Sequence, residues 1–303
     1  HIARLRHLED LELGLCSRIT GVGFRGFRNL DRLAELGLSG TLVDDQALSY
    51  IKLLDNLRQL DLSGTPITGS GLVEVSELQD LTTLRLRGCV RLRPESLLSL
   101  RRLPQLATLD LSACGLLTDE ALVYVRSLRG LMSLVLEGLP ITDVGVLYLA
   151  DLVALASLDL SWTQVGDAGL GRIARLRGLR ELRLSGTPIT DAGLAALAAL
   201  PDLRVLDLSN THITNAGLRD LVAVPSLEVL DLESTGIHDA GLVHLGELPQ
   251  LRRVYLGSTA VTDAGLDLLQ RICDLESVDL TLCPGVSRNA IEGLKENGIS
   301  VSC

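Results

Sequence analysis

The sequence repeats itself every 24 residues, and this period constrains the fold more than any other feature. The block LRELRLSGTPITDAGLAALAALPD (179–202) is followed by LRVLDLSNTHITNAGLRDLVAVPS (203–226) and LEVLDLESTGIHDAGLVHLGELPQ (227–250), which match it position by position. Self-similarity at such a period is typical of solenoids. One short unit cannot bury its apolar side alone, so the units must stack on one another.

Each block begins with a pattern that predicts a short strand. In the block 203–226 the leucines Leu203, Leu206 and Leu208 alternate with other residues, which indicates a strand with one buried face. Thr211 and Ile213 then lead the chain around a turn and back toward the interior.

The second half of each block predicts a short helix. Thr214 can cap it, because its hydroxyl can accept a backbone N–H at the helix start. Leu218, Leu221 and Val222 follow at helical spacing, and Pro225 is expected to close the helix. In several blocks an aspartate follows the cap and suits the positive end of the helix dipole. These aspartates are Asp143, Asp191 and Asp263.

The first leucines of the blocks define twelve repeats: Leu8, Leu33, Leu57, Leu81, Leu106, Leu131, Leu155, Leu179, Leu203, Leu227, Leu251 and Leu275. Three of the blocks hold 25 residues and carry cysteine in place of the turn threonine: Cys16, Cys89 and Cys114. Cys283 precedes the same longer turn. We place the extra residue in the loop after the strand and expect these four cysteines to face the interior.

The pattern LxxLxLxx(T/C)xI with a TDAGL helix resembles leucine-rich-repeat proteins, and within them the cysteine-containing and GALA-like classes. Such repeats occur in F-box substrate receptors and in GALA effectors of plant-pathogenic bacteria. The resemblance implies an α/β fold: a right-handed leucine-rich-repeat solenoid (horseshoe), with a parallel sheet on the concave face and short helices on the convex face. It implies little about function, because unrelated proteins share the scaffold.

The resemblance extends over essentially the whole chain, so residues 1–303 are expected to form a single solenoid domain. Residues 1–7 are expected to be the remnant of an upstream repeat, since IARLRHLEDLEL (2–13) echoes IARLRGLRELRL (173–184). Residues 296–303 break the rhythm and are expected to close the stack with a terminal strand.

Composition limits the classes of partner. The net charge is −10, which argues against nucleic acid and against an anionic membrane surface. No apolar run is long enough to span a bilayer. Six cysteines without a CxxC motif favour free thiols in a reducing, cytoplasmic setting, although a disulfide between Cys89 and Cys114 across adjacent coils stays open.

One column of residues is expected along the exposed face of the strands. In chain order it reads Glu12, Gly37, Asp61, Arg85, Asp110, Val135, Asp159, Arg183, Asp207, Asp231, Tyr255 and Asp279. It has two competing interpretations: a ladder of self-compensating ion pairs, or a mixed-charge recognition stripe. Aspartates as metal ligands are a weaker alternative, because arginines interrupt them. Only Asp207 and Asp231 are like-charged neighbours.

Trp162 is the only tryptophan of the chain and is predicted at an exposed edge of this face, flanked by Glu137, Asp159 and Arg183. Tryptophan beside arginine is typical of interface hot spots, whereas the alternative is that the ring packs over a neighbouring turn. A second cluster is predicted on the same face, three to four coils away. The proposed partner-binding residues are Trp162, Arg183, Asp159, Glu137, Asp207, Arg85, Arg87, Arg252, Arg253 and Tyr255.

Catalytic signatures are not found in the sequence. The histidines are few, the acidic residues recur with the repeat, and no phosphate-binding loop is present. We therefore expect a non-catalytic module that binds a protein on its concave face, with no cofactor, metal, nucleic acid or small-molecule substrate. Two alternatives are the substrate-recognition part of an F-box-type ubiquitin ligase and the sensor region of a larger receptor or enzyme.

Overall fold

The computed structural model describes residues 2–303, which form two compact units: unit 1 up to Leu155 and unit 2 from Ala156 onward. Both units alternate short strands with short helices, as the repeat predicts. The predicted remnant at residues 1–7 begins at His1, which lies outside the described residues; Ile2–Arg4 form a 3₁₀ turn.

In unit 1 the strands lie side by side in chain order and run parallel. They are β1 (Asp10–Glu12), β2 (Glu35–Gly37), β3 (Gln59–Asp61), β4 (Thr83–Arg85), β5 (Thr108–Asp110) and β6 (Ser133–Val135). The α-helices are α1 (Asp45–Ile51), α2 (Gly69–Val75), α3 (Asp119–Val125) and α4 (Asp143–Val146). Longer 3₁₀ segments are Gly21–Asn29, Pro94–Arg102 and Leu147–Asp151.

Unit 2 repeats this arrangement with parallel strands in chain order. Its strands are β7 (Ser157–Asp159), β8 (Glu181–Arg183), β9 (Val205–Asp207), β10 (Val229–Asp231), β11 (Arg253–Tyr255), β12 (Ser277–Asp279) and β13 (Ser300–Ser302). Its helices are α5 (Asp167–Ile173), α6 (Asp191–Leu194), α7 (Asn215–Leu221), α8 (Leu242–Leu245), α9 (Asp263–Leu269) and α10 (Arg288–Glu296). Ala195–Ala199 and Asp239–Gly241 are 3₁₀ segments.

The core of each coil is the one that the repeat predicts. Leu203, Leu206 and Leu208 are fully buried, and Ile213 and Leu218 close the interior from the turn and from the helix. The strands pair in register, so that equivalent leucines of successive coils lie opposite each other. The shared period therefore aligns every core position along the stack.

The helix end differs slightly from the prediction. Helix α7 ends at Leu221, four residues before Pro225, and Val222 is only half-buried. Val224 fills the core instead and is 1% exposed. The chain leaves the helix early because it must reach the next strand within a few residues.

The turn threonines and cysteines close the coil in different ways. The Thr211 hydroxyl donates to the Leu208 carbonyl of its own coil at 2.5 Å. Cysteine thiols instead donate to a leucine carbonyl of the preceding coil, as Cys114 does to Leu86 at 3.0 Å. Cys89 and Cys283 make the equivalent bond to Leu62 and Leu256.

The prediction that all four turn cysteines face the interior is wrong for Cys16, which is exposed. The other three are buried. Cys16 stands in the coil of β1, at the start of unit 1, where the described residues provide no preceding strand to cover it. The thiol therefore lacks the carbonyl that holds its counterparts inside.

Helix starts carry a contact that links one coil to the next. The Asp191 carboxylate accepts the Thr214 amide at 2.8 Å and the Thr214 hydroxyl at 2.6 Å. Thr214 uses the same hydroxyl to cap its own helix by accepting the Ala216 amide at 3.3 Å. We call this arrangement the Asp–Thr tie. It recurs from Asp45 to Thr68, Asp119 to Thr142, Asp167 to Thr190 and Asp239 to Thr262.

The tie also explains the glycine of the TDAGL motif. A β-carbon on Gly217 would lie 2.9 Å from Leu194 Cδ1 and closer still to Asp191 Oδ1. The same clash with the preceding coil's acidic or amide side chain occurs at Gly71, Gly145, Gly193, Gly241 and Gly265. Glycine is therefore required at these positions for close approach of the coils, whereas the sequence alone indicates only a helix start.

The chain ends in a short parallel strand. Helix α10 runs to Glu296, and Ser300–Ser302 then pair with β12. Ile299, just before the strand, is 5% exposed and covers the interior of the last coil.

Two glycine substitutions test the close approach. Gly217→Ala should destabilise the chain by about 1–3 kcal/mol, because the added methyl displaces Leu194 and the Asp191 carboxylate. Gly171→Ala is the matched control: Gly171 lies exposed in α5, and no atom lies within 4 Å of its added β-carbon. It should stabilise the helix by about 0.5–1 kcal/mol. Urea unfolding measures both, and equal effects would contradict the explanation.

Thiol reactivity tests the cysteine positions. In the native chain the three exposed thiols (Cys16, Cys273 and Cys303) should react with Ellman's reagent, and the three buried ones should not. Burial raises the pKa of Cys114 to about 12, so its thiolate is scarce at pH 8. In denaturant without reductant all six should react. A shortfall of two thiols would indicate a disulfide and contradict the structure.

Candidate functional site

The exposed surface of the strands is the candidate site, and each strand contributes to it by the same alternation. In β8 the central Leu182 is buried, while Glu181 and Arg183 on either side face outward. Side chains of successive strand residues point to opposite faces, so the first and third residues of every strand form two columns on this surface.

The aspartates of the predicted column turn back onto their own backbone. Asp207 Oδ1 accepts the Ser209 amide at 2.9 Å and its hydroxyl at 2.7 Å. Asp159 accepts the Ser161 amide in the same way, at 2.9 Å. Each such contact closes the turn that leaves the strand. Equivalent contacts occur at Asp61, Asp110, Asp231 and Asp279.

The interpretation of this column as a ladder of Asp–Arg pairs is not what the described strand face shows. Arg183 forms its ion pair with Glu181 of the same strand rather than with Asp159 or Asp207 beside it. The aspartates thus have a local structural role, and the arginine head remains near the surface, with 44% of its side chain exposed.

Trp162 lies just beyond β7 and is 58% exposed. Its amide donates to the Ser185 carbonyl of the next coil at 2.7 Å. The indole lies over Gly186, where a β-carbon would overlap the ring. One part of the ring therefore packs over the neighbouring turn, as the alternative interpretation predicted, and the larger part faces solvent.

The backbone of Trp162 is left-handed, with φ +58°. The equivalent position of the next two coils has the same conformation but holds residues suited to it, Gly186 at +66° and Asn210 at +56°. A bulky side chain in this region costs about 1–2 kcal/mol, and glycine or asparagine avoids most of that cost. Trp162 therefore occupies a position where its side chain works against local stability.

A second group of site residues lies on β11. Arg253 and Tyr255 flank the buried Val254 and share the exposed face, where Tyr255 is 38% exposed. Arg252, one residue before the strand, pairs with Glu276 at 3.1 Å. Strand β11 is four strands along from β7, so this group lies about 19 Å from the Trp162 coil at the usual strand spacing.

The remaining predicted residues belong to unit 1. Arg87 Nη1 contacts Glu137 Oε2 at 2.6 Å and Ser112 Oγ at 3.2 Å. It thus crosses the intervening coil, which the small, buried serine permits. Arg85 is exposed on β4, and Asp61 of the neighbouring strand lies beside it in register.

Asp231 carries the main electrostatic perturbation of the strand face in unit 2. Burial raises its pKa to about 6, and the carboxylates of Asp207, Glu233 and Asp279 add to the effect. Asp207 lies directly opposite on β9, which is the like-charged neighbour pair identified in the sequence.

Sequence reasoning missed the column formed by the first residue of each strand. Glu181, the first residue of β8, pairs with Arg183 and accepts the Ser157 hydroxyl at 3.1 Å. The sequence signal for this column is a charged residue two positions before the predicted column residue, as Glu181 stands before Arg183. Within residues 2–303, no cluster of three or more His, Cys, Asp or Glu side chains could hold a metal ion.

Sequence comparisons match parts of this architecture to known repeats. Models of the leucine rich repeat match residues 177–237, and also residues 55–76 and 155–174. The chain contains leucine-rich repeats. No curated protein sequence matches it.

Solved structures confirm the predicted fold class. An internalin from Listeria monocytogenes is similar at a TM-score of 0.66 and 21% identity, covering 91% of this chain and 82% of its own. A leucine-rich-repeat protein from Leptospira interrogans is similar at a TM-score of 0.56 and 19% identity, and the match covers 100% of this chain and 91% of that protein. A TDR receptor is similar at a TM-score of 0.58 and 16% identity, and the match covers 92% of this chain and 52% of that receptor. These likenesses concern the leucine-rich-repeat fold alone.

Leucine-rich repeats are typically protein-interaction scaffolds, and the fold is generally non-enzymatic. Among the described residues, no helix combines the length and apolarity needed to cross a membrane.

The Asp231 pKa predicts a pH-dependent stability. Because its folded pKa of about 6 exceeds the unfolded value of 3.8, the folded chain binds the proton more tightly, and stability falls as pH rises between these values. Asp231→Asn should therefore stabilise the chain by about 1 kcal/mol at pH 7.5, after allowance for solvent screening, and by much less at pH 4. Urea unfolding at both pH values measures this. The control is Asp274→Asn on the exposed turn before β12; an Asp231 effect that is equal at both pH values would contradict the assignment.

Proposed function

We propose that the strand face of unit 2 binds a protein partner, with Trp162 as the apolar anchor and Asp159, Arg183 and Asp207 as polar contacts around it. The observation that carries the proposal is the exposed, left-handed Trp162. Packing over Gly186 accounts for only part of the ring, and the backbone conformation favours a smaller residue.

Interface energetics support this choice of anchor. Tryptophan, tyrosine and arginine are enriched among the few residues that dominate binding energy, and they act best where neighbouring groups exclude water. Arg183 of the adjacent coil is proposed as such a neighbour, since half of its side chain is covered and its charge is partly balanced by Glu181.

The second group, Arg252, Arg253 and Tyr255, is proposed as a further contact area for the same partner. An interface of standard size covers about 800 Å² on each protein, which corresponds to a patch roughly 30 Å across. The separation of about 19 Å from the Trp162 coil fits within such a patch. On unit 1 we propose Arg85, Arg87 and Glu137 as partner contacts of its own strand face.

We propose that the module has no catalytic activity, cofactor or small-molecule substrate of its own. The repeat-periodic acidic residues are engaged in turns and ties rather than in a single constellation. The net charge of −10 supports a protein partner over nucleic acid or an anionic membrane.

We propose a reducing, cytoplasmic location and membership of the cysteine-containing, GALA-like class. The support is the set of buried thiols at the repeat position, each donating to a carbonyl of the preceding coil. A role as the substrate receptor of a ubiquitin ligase would be one form of the same binding function; no contact in the described residues favours it over the others.

Co-purification with quantitative mass spectrometry tests the proposal. Trp162→Gly and Tyr255→Ala together should deplete the partner by about tenfold or more, because hot-spot truncation costs about 2 kcal/mol. Trp162→Gly should leave the free energy of unfolding within about 1 kcal/mol of the parent, since relief of the left-handed strain offsets lost packing.

The matched control is Leu15→Gly. Leu15 has the same backbone conformation, with φ +61°, and is 85% exposed, but it lies in unit 1. Its substitution removes exposed apolar surface without touching the proposed site. A partner depleted equally by Leu15→Gly, or retained after both unit 2 substitutions, would contradict the proposal.

A further inference from the structure

The helix side of unit 1 contains a groove of about 560 Å³ between α2 and the 3₁₀ helix Pro94–Arg102. It is separate in sequence and in position from the strand face, because it is lined by residues of two helices and of the turn between β4 and the 3₁₀ helix.

The groove lies where the Asp–Thr tie is absent. Helix α2 begins with Gly69 instead of the aspartate, and the next coil has Arg93 instead of the capping threonine. That coil also has the extra turn residue and continues through Pro94 into a 3₁₀ helix of nine residues. Gly69 cannot form the tie, and Ser96 of the next coil packs against it: a β-carbon on Gly69 would lie 2.8 Å from Ser96 Oγ. The groove lies beside this contact and is lined by both helix starts.

Arginines surround the groove. Arg91, Arg93 and Arg101 are exposed, and Arg102 contacts Glu77 at 3.4 Å with more than half of its side chain in solvent. Glu95 is the acidic side chain that also lines the groove. Four arginines against one carboxylate make this a basic region in a chain whose net charge is −10.

The groove also has an apolar floor. Val73 and Leu98 are 49% and 46% exposed and occupy the same helix position in adjacent coils. The next two coils of unit 1 continue the row with Val123 and Leu147, which are 38% and 48% exposed. In unit 2 the same position is apolar and exposed at Val243, 51% exposed, but its neighbours along the stack are Arg219 and Asp267, so no row forms there. Exposed apolar side chains in a row beside clustered arginines favour a ligand with both chemistries.

We propose that this groove binds an acidic, amphipathic segment of a partner protein, with an apolar side chain on Val73 and Leu98 and carboxylates on the arginines. Arginine pairs with carboxylates through its planar fork, and the two charges attract more strongly next to apolar surface than in bulk water. The apolar contact distinguishes this ligand from a simple anion.

The test uses the whole chain and a defined probe, a short fluorescein-labelled peptide of alternating glutamate and leucine, titrated by fluorescence anisotropy. Arg93→Glu with Arg101→Glu should weaken binding by about tenfold or more. Leu98→Ser should weaken it by about threefold or more, and higher salt should weaken it further. The control is Arg129→Glu, an exposed arginine outside the groove. Thermal unfolding of each variant checks that the fold is retained.

The comparison peptides decide between ligand chemistries. A peptide with glutamine in place of glutamate, and one with serine in place of leucine, should both bind poorly. The proposal would be overturned if either comparison peptide bound as tightly as the glutamate–leucine peptide. It would also be overturned if Arg129→Glu weakened peptide binding as much as the groove variants do, or if equimolar inorganic phosphate displaced the peptide. A chain that binds phosphatidylserine vesicles but not the peptide, and loses vesicle binding in the groove variants, would assign the groove to a membrane surface. That result would also overturn the proposal. Trp162→Gly should leave peptide affinity unchanged, so this test is independent of the strand-face proposal.

Discussion

The contact between coils at the helix starts is the side-chain interaction that fixes successive helices against one another. Strand pairing aligns one edge of each coil with the next, and the Asp–Thr tie fixes the opposite edge. Hydrogen bonds to a charged group contribute about 1.5–3 kcal/mol in favourable sites, and solvent reduces this where the carboxylate is exposed. Stacking short coils through both edges makes the core continuous, although no single coil could bury its own leucines.

The same contact explains the most regular polar features of the sequence. One aspartate serves the dipole of its own helix and the cap of the next, and Gly217 and its equivalents leave room for it. Where the aspartate is replaced, the consequences differ. Asn215 keeps the contact by accepting the His238 amide at 3.0 Å, whereas Gly69 cannot make it and lines the arginine-rich groove. The binding sites that we propose lie at such departures from the repeat.

Much of the fold could be predicted from the sequence because it depends on contacts within one period. The core leucines, the Thr214 cap and the like-charged Asp207–Asp231 pair all follow from position in the repeat. The Asp–Thr tie could not be predicted, because it joins residues 23 positions apart whose distance depends on how coils stack. The exposure of Cys16 could not be predicted either, because it depends on the neighbouring coil. The left-handed backbone of Trp162 recurs at the same position of other coils, as at Leu15, Asn210 and Leu282, but the residue types there differ too much to indicate it.

The ties and turns engage many of the repeated polar groups, so the binding that we propose falls to residues that depart from the repeat. That is why Trp162 and the arginine-lined groove stand out. A double-mutant cycle on Asp191→Ala and Thr214→Val, measured by urea unfolding of the whole chain, tests this account most directly. A coupling of at least about 1 kcal/mol is predicted, because the carboxylate and the hydroxyl are direct partners across coils. Additive effects, within about 0.3 kcal/mol, would contradict it.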